Sequence, residues 1–405
     1  MSSTVLYHIQ GIRQYKLKRF VLEKGKNIFE IEHRHDSDLC CPACGSKNVV
    51  RKGSKARVFT GVPLKFAPSE IRVKIPRIHC KNCGKIGQIH IEFACPNVRY
   101  TRFFEAYALT LLSHMTCKDA AALCRVSWDT MKEIDKRNLK KRFSNPSLKG
   151  VTQIAIDEIA VKKGHKYVTL VLDLETRRVL HVGDGRGADS LKEFWKRLKR
   201  RKVRIKCVAT DLSPACTKAV RENLPKANHV FDRFHITQLF NKTITSCRRA
   251  IYKELTEAKE KQALKGCRFI LLKRRNHLDP TRREPERLEK ALTANADLSQ
   301  IYFLKEELSQ FWQQTDLKTA KGYLYDWLER AESLKISSLT KFCQTIRDHL
   351  DGLFSWYTTP ISTGPLEGIN NKIKTLKRQS YGFRDSEYFR LKILGIHRSR
   401  YALVG

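Results

Sequence analysis

The sequence predicts an α/β protein: a mixed sheet with flanking helices, interrupted by an all-helical insertion and preceded by a small β-rich unit and a helix pair. Three observations carry this. From Val151 the apolar segments run strand, strand, strand, helix, strand, helix, strand as far as Phe231. Residues 236–356 are then helical in pattern almost throughout, a stretch too long to be a loop. Two Cys-x-x-Cys pairs, at 41–44 and 80–83, sit in β-type sequence near the N-terminus. The boundaries follow: 1–99 a β-rich unit, 100–143 the helix pair, 144–150 a linker, 151–235 with 361–400 the sheet domain, and 236–360 the insertion.

Composition narrows the function before any motif does. In 405 residues, 79 Lys and Arg oppose 41 Asp and Glu, a formal net charge of +38. Hydrophobic residues make up 41%, with 19 Phe and 13 Tyr, which excludes a disordered polycation. No run of 18 apolar residues exists, which argues against a membrane span. Met1 to Gln10 lacks the basic and apolar regions of a secretion signal. The 13 Cys are an odd number and mostly scattered, which suits a reducing compartment with a subset binding metal. Residues 1–150 carry a net +17 and leave +21 for the rest, so every segment is basic. Any one basic run reads as a solvated face, but an excess this widespread predicts a long polyanion, with nucleic acid the first candidate and a membrane surface the weaker one.

Taken in order, residues 5–34 read as short strands, clearest in Asn27–Glu32 after the turn-like Glu23–Lys26. Cys41-Pro42-Ala43-Cys44-Gly45 and Cys80-Lys81-Asn82-Cys83-Gly84 are knuckles in which two thiolates and nearby N–H groups wrap a tetrahedral ion. With the β-type Val58-Phe59-Thr60 and Ile71–Ile75 between them, they look like a zinc ribbon holding one structural Zn²⁺ on Cys41, Cys44, Cys80 and Cys83. Cys40 is an alternative to Cys41, and Cys95, His79 and His90 are bystanders. Phe103–Leu112 and Thr116–Cys124 are helical, and Ser127 is a good N-cap for Trp128–Arg142. Small residues Ala120 to Ala122, a short joint and a capped basic second helix spell helix-turn-helix. Ser127, Trp128, Asp129, Thr130 and Lys132 then sit at the groove-facing start of the recognition helix. An ordinary helical hairpin is the alternative.

In the sheet domain the strands are Val151–Val161, Lys166–Leu174, Arg177–Val182, Val203–Thr210 and Asn228–Phe231, with helices Ala188–Arg201 and Ser213–Asn223 between them. That order is ribonuclease-H-like. Gly183 to Gly187 is a turn, because no Gly-Lys-Ser/Thr follows to make a P-loop. Trp312, Trp327 and Trp356 of the insertion read as core residues. Asp157 interrupts an apolar strand and Asp211 ends another. A charge there costs several kcal/mol unless paired or metal-bound, and two such acids on one sheet favour a divalent-cation site. Glu367 supplies a third. At about 100° per residue, Ile369, Ile373 and Leu376 form one stripe, and Glu367 lies nearly opposite with Asn371, Lys374 and Arg378 on its face. That face is by default a surface charge cluster; it also suits a carboxylate ligand with neighbours that hold a phosphate backbone.

The segments Ile156-Asp157-Glu158, Thr210-Asp211-Leu212-Ser213, Val230-Phe231-Asp232-Arg233-Phe234-His235 and Gly364-Pro365-Leu366-Glu367-Gly368-Ile369-Asn370-Asn371, in this order, resemble bacterial insertion-sequence transposases of the DDE class. The resemblance is to the ISL3-type group, which joins an N-terminal zinc ribbon and helix-turn-helix to the catalytic domain, and it runs over nearly the whole chain. It implies that Asp157, Asp211 and Glu367 are a catalytic triad holding two Mg²⁺ (or Mn²⁺) ions about 3.5–4 Å apart. It implies 3′-end cleavage at the element's terminal inverted repeats, strand transfer into double-stranded target DNA, a homodimer or higher assembly, and a bacterial, cytoplasmic, nucleoid-associated protein with no membrane partner. Asp232 and His235 recur in it as accessory residues; Asp173 and Glu158 are further acids to place. A DNA-binding regulator with an inactive catalytic fold and a metal-dependent nuclease are the competing readings. Whatever the reaction, the logarithm of DNA affinity should fall with the logarithm of salt at a slope of about −0.9 per phosphate neutralised. A filter-binding series from low to high salt checks this, and a flat slope would remove the polyanion argument.

Overall fold

Alternating apolar residues build the first sheet in the computed structural model, which describes residues 3–33, 39–162 and 166–398. After α1 (Ser3–Gln10), β1 (Tyr15–Glu23) and β2 (Lys26–His33) form an antiparallel hairpin. Next come β3 (Val49–Leu64), β4 (Ala67–Cys80) and the short β5 (Ile86–Gln88). The sheet order is β1-β2-β4-β3, with β4 parallel to β2, antiparallel to β3, and joined at its end by β5. Phe29, Phe59, Ile71 and Phe93 fill its core. The helix α1 corrects the expectation of strands from residue 5. Leu6 and Gln10 are four residues apart and both fully buried. Gln10 donates to the Val62 carbonyl at 3.0 Å and accepts from its N–H at 2.9 Å, so a polar residue occupies a core position and hides the helical period.

Hydroxyl caps start the next three helices. In α2 (Arg102–Leu112), α3 (Cys117–Cys124) and α4 (Trp128–Phe143), the side chains of Thr101, Thr116 and Ser127 accept from backbone N–H groups of the first turn. Arg125, at φ 51°, turns the chain from α3 into α4. Ala120 and Ala121 let α3 approach Met131 and Ile134 of α4 closely. The helix-turn-helix is therefore built as the sequence predicts.

The second sheet comprises β6 (Gln153–Lys162), β7 (Lys166–Asp173), β8 (Val179–Asp184), β9 (Cys207–Thr210) and β10 (Asn228–Phe231), with α5 (Lys192–Arg201) and α6 (Pro214–Asn223) as crossovers. Its order is β10-β9-β6-β7-β8. β6, β7 and β8 are antiparallel, whereas β6, β9 and β10 run parallel. This mixed sheet with flanking helices fits a ribonuclease-H-like fold.

Eight helices form the insertion: α7 (Arg233–Glu254), α8 (Ala258–Leu264), α9 (Arg268–Leu272), α10 (Glu284–Thr293), α11 (Ala296–Leu308), α12 (Leu317–Ser333), α13 (Ser337–Arg347) and α14 (Leu350–Phe354). Their core holds Phe240, Phe311, Trp312, Trp327 and Phe342, with Trp356 packed against it. Trp327 is fully buried and donates its indole N–H to the Leu304 carbonyl. The core extends to Phe231 at the end of β10, where Gly352 of α14 lies against its ring.

Finally come α15 (Gly364–Gln379) and α16 (Ser386–Gly395). The chain divides into two compact units, and the division falls within α15: Asn145 to Lys374 make one, and the N-terminal part joins the residues from Thr375 in the other. Residues 361–400 therefore do not stay together as the sequence reading kept them (399–400 lie outside the described residues). The reason is Asp135, buried on α4, which accepts from the Tyr388 hydroxyl at 2.5 Å and pairs with Lys392 at 2.6 Å, both on α16. Gly395 completes the contact, since a Cβ there would come within 3.0 Å of the Phe143 ring. Among the described residues no helix is long and apolar enough to cross a membrane. A Cβ at Gly352 would fall 2.3 Å from the Phe231 ring. Gly352→Ala should therefore destabilise the fold by about 1–3 kcal/mol despite its gain in helix propensity, as read by chemical denaturation.

Candidate active site

Strand register places the first two acids. Ala155 of β6 faces Ala209 of β9 in parallel register. Two residues on, on the same side of the pleat, come Asp157 and Asp211. β9 ends at Thr210, so the flank of β6 opens where Asp157 stands, between strands whose connections leave in opposite directions. Such a switch point at the carboxyl ends of parallel strands is where open α/β sheets bind ligands. β10 ends one residue before Asp232, whose N–H bonds the Thr210 carbonyl at 3.0 Å. Asp211 and Asp232 thus follow the ends of β9 and β10, and Asp157 stands within β6 where the pairing with β9 has run out.

The start of α15 lies across these ends. Thr363, whose carbonyl opens the helix, donates its hydroxyl to Asp232 Oδ2, and Asn370 Nδ2 donates to Asp157 Oδ2 at 2.7 Å. Seven residues of helix advance about 10.5 Å, which matches the roughly 9.6 Å across two strand spacings. Glu367 lies between the two anchors, within about 60° of both on the helical wheel. It remains exposed while Thr363 and Asn370 are buried. It lines a cavity of about 580 Å³ together with Asp232, Arg233, Phe234, Arg274 and Trp356. Asn371, Lys374 and Arg378 are exposed along α15.

Burial pushes the Asp157 carboxyl above the usual carboxylate range. The Glu158 N–H at 2.8 Å, the His235 imidazole and Asn370 oppose that shift, while Asp211 reinforces it. Asp211 holds the first turn of α6 through the Ser213 N–H at 3.0 Å. The Cys216 thiol beneath is pushed up first by burial and then by Asp211, Glu158 and Asp157, which marks a pocket of concentrated negative charge in a basic chain. Oxygen donors and excess negative charge suit a hard divalent cation. One buried polar atom adds to the fit: Asn370 Oδ1 has no hydrogen-bond partner among the described residues. Asp157, Asp211 and Glu367 do not themselves form a closed set. Among the described residues, only four cysteines bring three or more Cys, His, Asp or Glu ligand atoms within 4.8 Å of one another.

Glu158 accepts from the Gly187 N–H at 2.9 Å and so anchors the loop after β8, where Gly185 and Gly187 take positive φ. Asp173 pairs in register with Ile154, towards the opposite end of β6, and binds the turn residues Glu175, Thr176 and Arg178. It organises a turn. His235 stands in the first turn of α7, and Asp232 caps that helix.

In the N-terminal unit, Cys41, Cys44, Cys80 and Cys83 come together, with Sγ separations of 3.6 Å for both the 41–83 and 44–80 pairs. Tetrahedral thiolate coordination requires about 3.8 Å. Gly45 and Gly84, both at positive φ, close the two knuckles on the carbonyls of Cys41 and Cys80. The N–H groups of Cys44 and Ala43 lower the Cys41 thiol to about 6. Cys40 stands outside the cluster.

On α4 the expected DNA-facing residues also make contacts within the protein. Ser127 and Thr130 hydrogen-bond each other in the cap, and Trp128 is 48% exposed with Lys132 over its ring. Lys132 and Lys136 both pair with Asp385 at 3.0 Å, and Lys136 and Lys140 pair with Glu387 at 2.9 Å. A groove of about 740 Å³ along α4 is lined by Arg99, Lys136, Arg137 and Lys140, with Asp129 and Glu133. Sequence reasoning missed Asp385, Glu387, Thr363 and Asn370. Asp135 was the available signal that a helix bearing a donor docks on α4, because a carboxylate in the apolar stripe Met131, Ile134, Leu139 demands a partner, and Tyr388 and Lys392 supply it.

A family model described as a transposase, of DDE class and ISL3 type, matches residues 154–393. A second, the helix-turn-helix domain of transposase family ISL3, matches residues 89–137. The transposase for insertion sequence element IS1001 of Bordetella parapertussis is 29% identical over 360 residues, covering 88% of each chain. The transposase for IS1557 of Mycobacterium tuberculosis is 24% identical over 377 residues, covering 86% of this chain and 83% of the relative. A solved chain of the Drosophila P element transposase strand transfer complex aligns with TM-score 0.41 and 11% identity, over 74% of this chain and 92% of its own.

The cysteine cluster makes its own prediction. Elemental analysis should find one thiolate-held metal ion per chain, and Cys80→Ser should lose it and lower the stability of the N-terminal unit by several kcal/mol, on the order expected for a structural site. Full metal retention in that variant would exclude the cluster as the site.

Proposed function

Because the chain belongs to the ISL3 family of DDE-class insertion-sequence transposases, we propose that Asp157, Asp211 and Glu367 are its catalytic triad, cutting DNA at the ends of its element and joining the freed 3′ ends to target DNA. The observation that supports this most is α15 laid across the strand ends, with Glu367 between the helix's anchors to Asp232 and Asp157. When bound there, divalent ions (Mg²⁺ or Mn²⁺, two per site) supply a lowered pKa for the attacking hydroxyl and charge to stabilise the leaving 3′-oxygen. The chain's own residues do the rest. Asp157 and Asp211 provide fixed carboxylate oxygens on a rigid sheet, and Glu367 closes the site from the helix. Asn371, Lys374 and Arg378, exposed along α15, hold the phosphate backbone. Asp232, buried, secures the start of α15 through Thr363, and His235 steadies the charge on Asp157.

The remaining parts recognise DNA. The helix-turn-helix, through Ser127, Trp128, Thr130 and Lys132 at the head of α4, reads the terminal inverted repeats, supported by a ribbon with one Zn²⁺ on its four cysteines. Two ends must be brought together, so the working form is a homodimer or larger. Glu367→Gln removes the negative charge while keeping the shape. It should reduce metal-dependent cleavage and joining at least about a hundredfold while leaving end binding unchanged. Assay of end-bearing DNA with Mg²⁺ or Mn²⁺ checks this, and wild-type joining by the variant would remove Glu367 from the triad.

A further inference from the structure

We infer that Asn370 is itself a ligand of the divalent cation, its amide nitrogen holding Asp157 while its carbonyl oxygen coordinates the ion. The inference rests on the catalytic reading of Asp157 and adds a residue outside the acidic triad.

Asn370 is only 8% exposed, on the sheet-facing side of α15. Its Nδ2 donates to Asp157 Oδ2 at 2.7 Å. That bond also settles the orientation of the amide, because only the nitrogen can face a carboxylate oxygen. Oδ1 is then the branch turned away from Asp157. It is buried and finds no partner among the described residues. A buried amide oxygen left unpaired is destabilising, and native structures resolve such a group with a water or an ion. Here the ion has a place: among the described residues the second oxygen of Asp157 accepts only the Glu158 N–H, and Asp211 follows the end of the neighbouring strand. Neutral amide oxygens are ordinary ligands of hard divalent cations. An apolar residue of similar size would fill the same space under α15 without the orphaned oxygen, so a purely packing role leaves half of the side chain unexplained.

The test is Mn²⁺ binding to the zinc-loaded, full-length protein without DNA, by calorimetry and by electron paramagnetic resonance. Asn370→Ala should weaken Mn²⁺ binding roughly 10- to 100-fold, the range found when groups around a metal site are removed. Asn370→Asp keeps an oxygen but loses the donor. It should melt lower than wild type without metal, because two carboxylates then face each other, and should gain more than wild type in melting temperature when Mn²⁺ is added. Asn370→Ala with wild-type Mn²⁺ affinity, or Asn370→Asp with a metal-independent loss of melting temperature, would overturn the inference. Asp157→Asn separates this failure from failure of the parent reading: wild-type Mn²⁺ binding in that variant would remove Asp157 from the metal site altogether.

Discussion

Two side-chain hydrogen bonds, Thr363 to Asp232 and Asn370 to Asp157, hold a helix across three neighbouring parallel strands, two of which end there, and the geometry of the site depends on them. The match between the rise of seven helical residues and two strand spacings lets both bonds form at once. The bonds add to the burial of Leu366, Ile369 and Ile373 on the same helix. Because both acceptors are carboxylates near the sheet, the anchors also temper the repulsion that would otherwise disperse them. Glu367 needs no anchor of its own. Its position follows from where its neighbours on the helix are held.

The charge distribution sets acid against base on a large scale. In a chain of net charge +38, Asp211, Glu158 and Asp157 stand close enough together to add to the upward push that burial gives the Cys216 thiol. Charges of both signs are thus set close together, and the acidic pocket stands apart from the basic excess of the rest of the chain. The same opposition recurs on α4 in miniature, where Asp385 and Glu387 engage three of its lysines. The Tyr388 N–H and those lysines hold Asp385 well below the usual carboxylate range.

Much of this was legible in residue order, because the features are local. Period-two and period-3.6 patterns gave the strand and helix sequence from 151 to 231, and Ser127 announced the start of α4 by its cap. The spacing of the two Cys-x-x-Cys pairs, each followed by Gly, foretold knuckles that come together. What stayed hidden depends on distant partners. Gln10 looked like a surface residue until Val62 satisfied both ends of its amide. Lys132 looked free for DNA, because nothing near it in sequence reveals Asp385. Asn370 and Asn371 are neighbours of the same type, and only the docking of α15 tells the buried one from the exposed one.

The bond from Asn370 to Asp157 spans 213 positions of the chain. Ribosomes add about 5–20 residues per second, so roughly 10–40 s separate the appearance of the two partners. During that interval the helical insertion can condense around Trp327 and Phe240 from contacts nearer in sequence, while the sheet waits with one side of its acidic end uncovered. The protein therefore cannot assemble a complete site on a half-made chain. A ribosome that stalls within the insertion releases a basic polypeptide able to contact nucleic acid but lacking the helix that carries Glu367. The order of synthesis therefore delivers last the helix that completes the candidate site, after the two sheets and the insertion have been made.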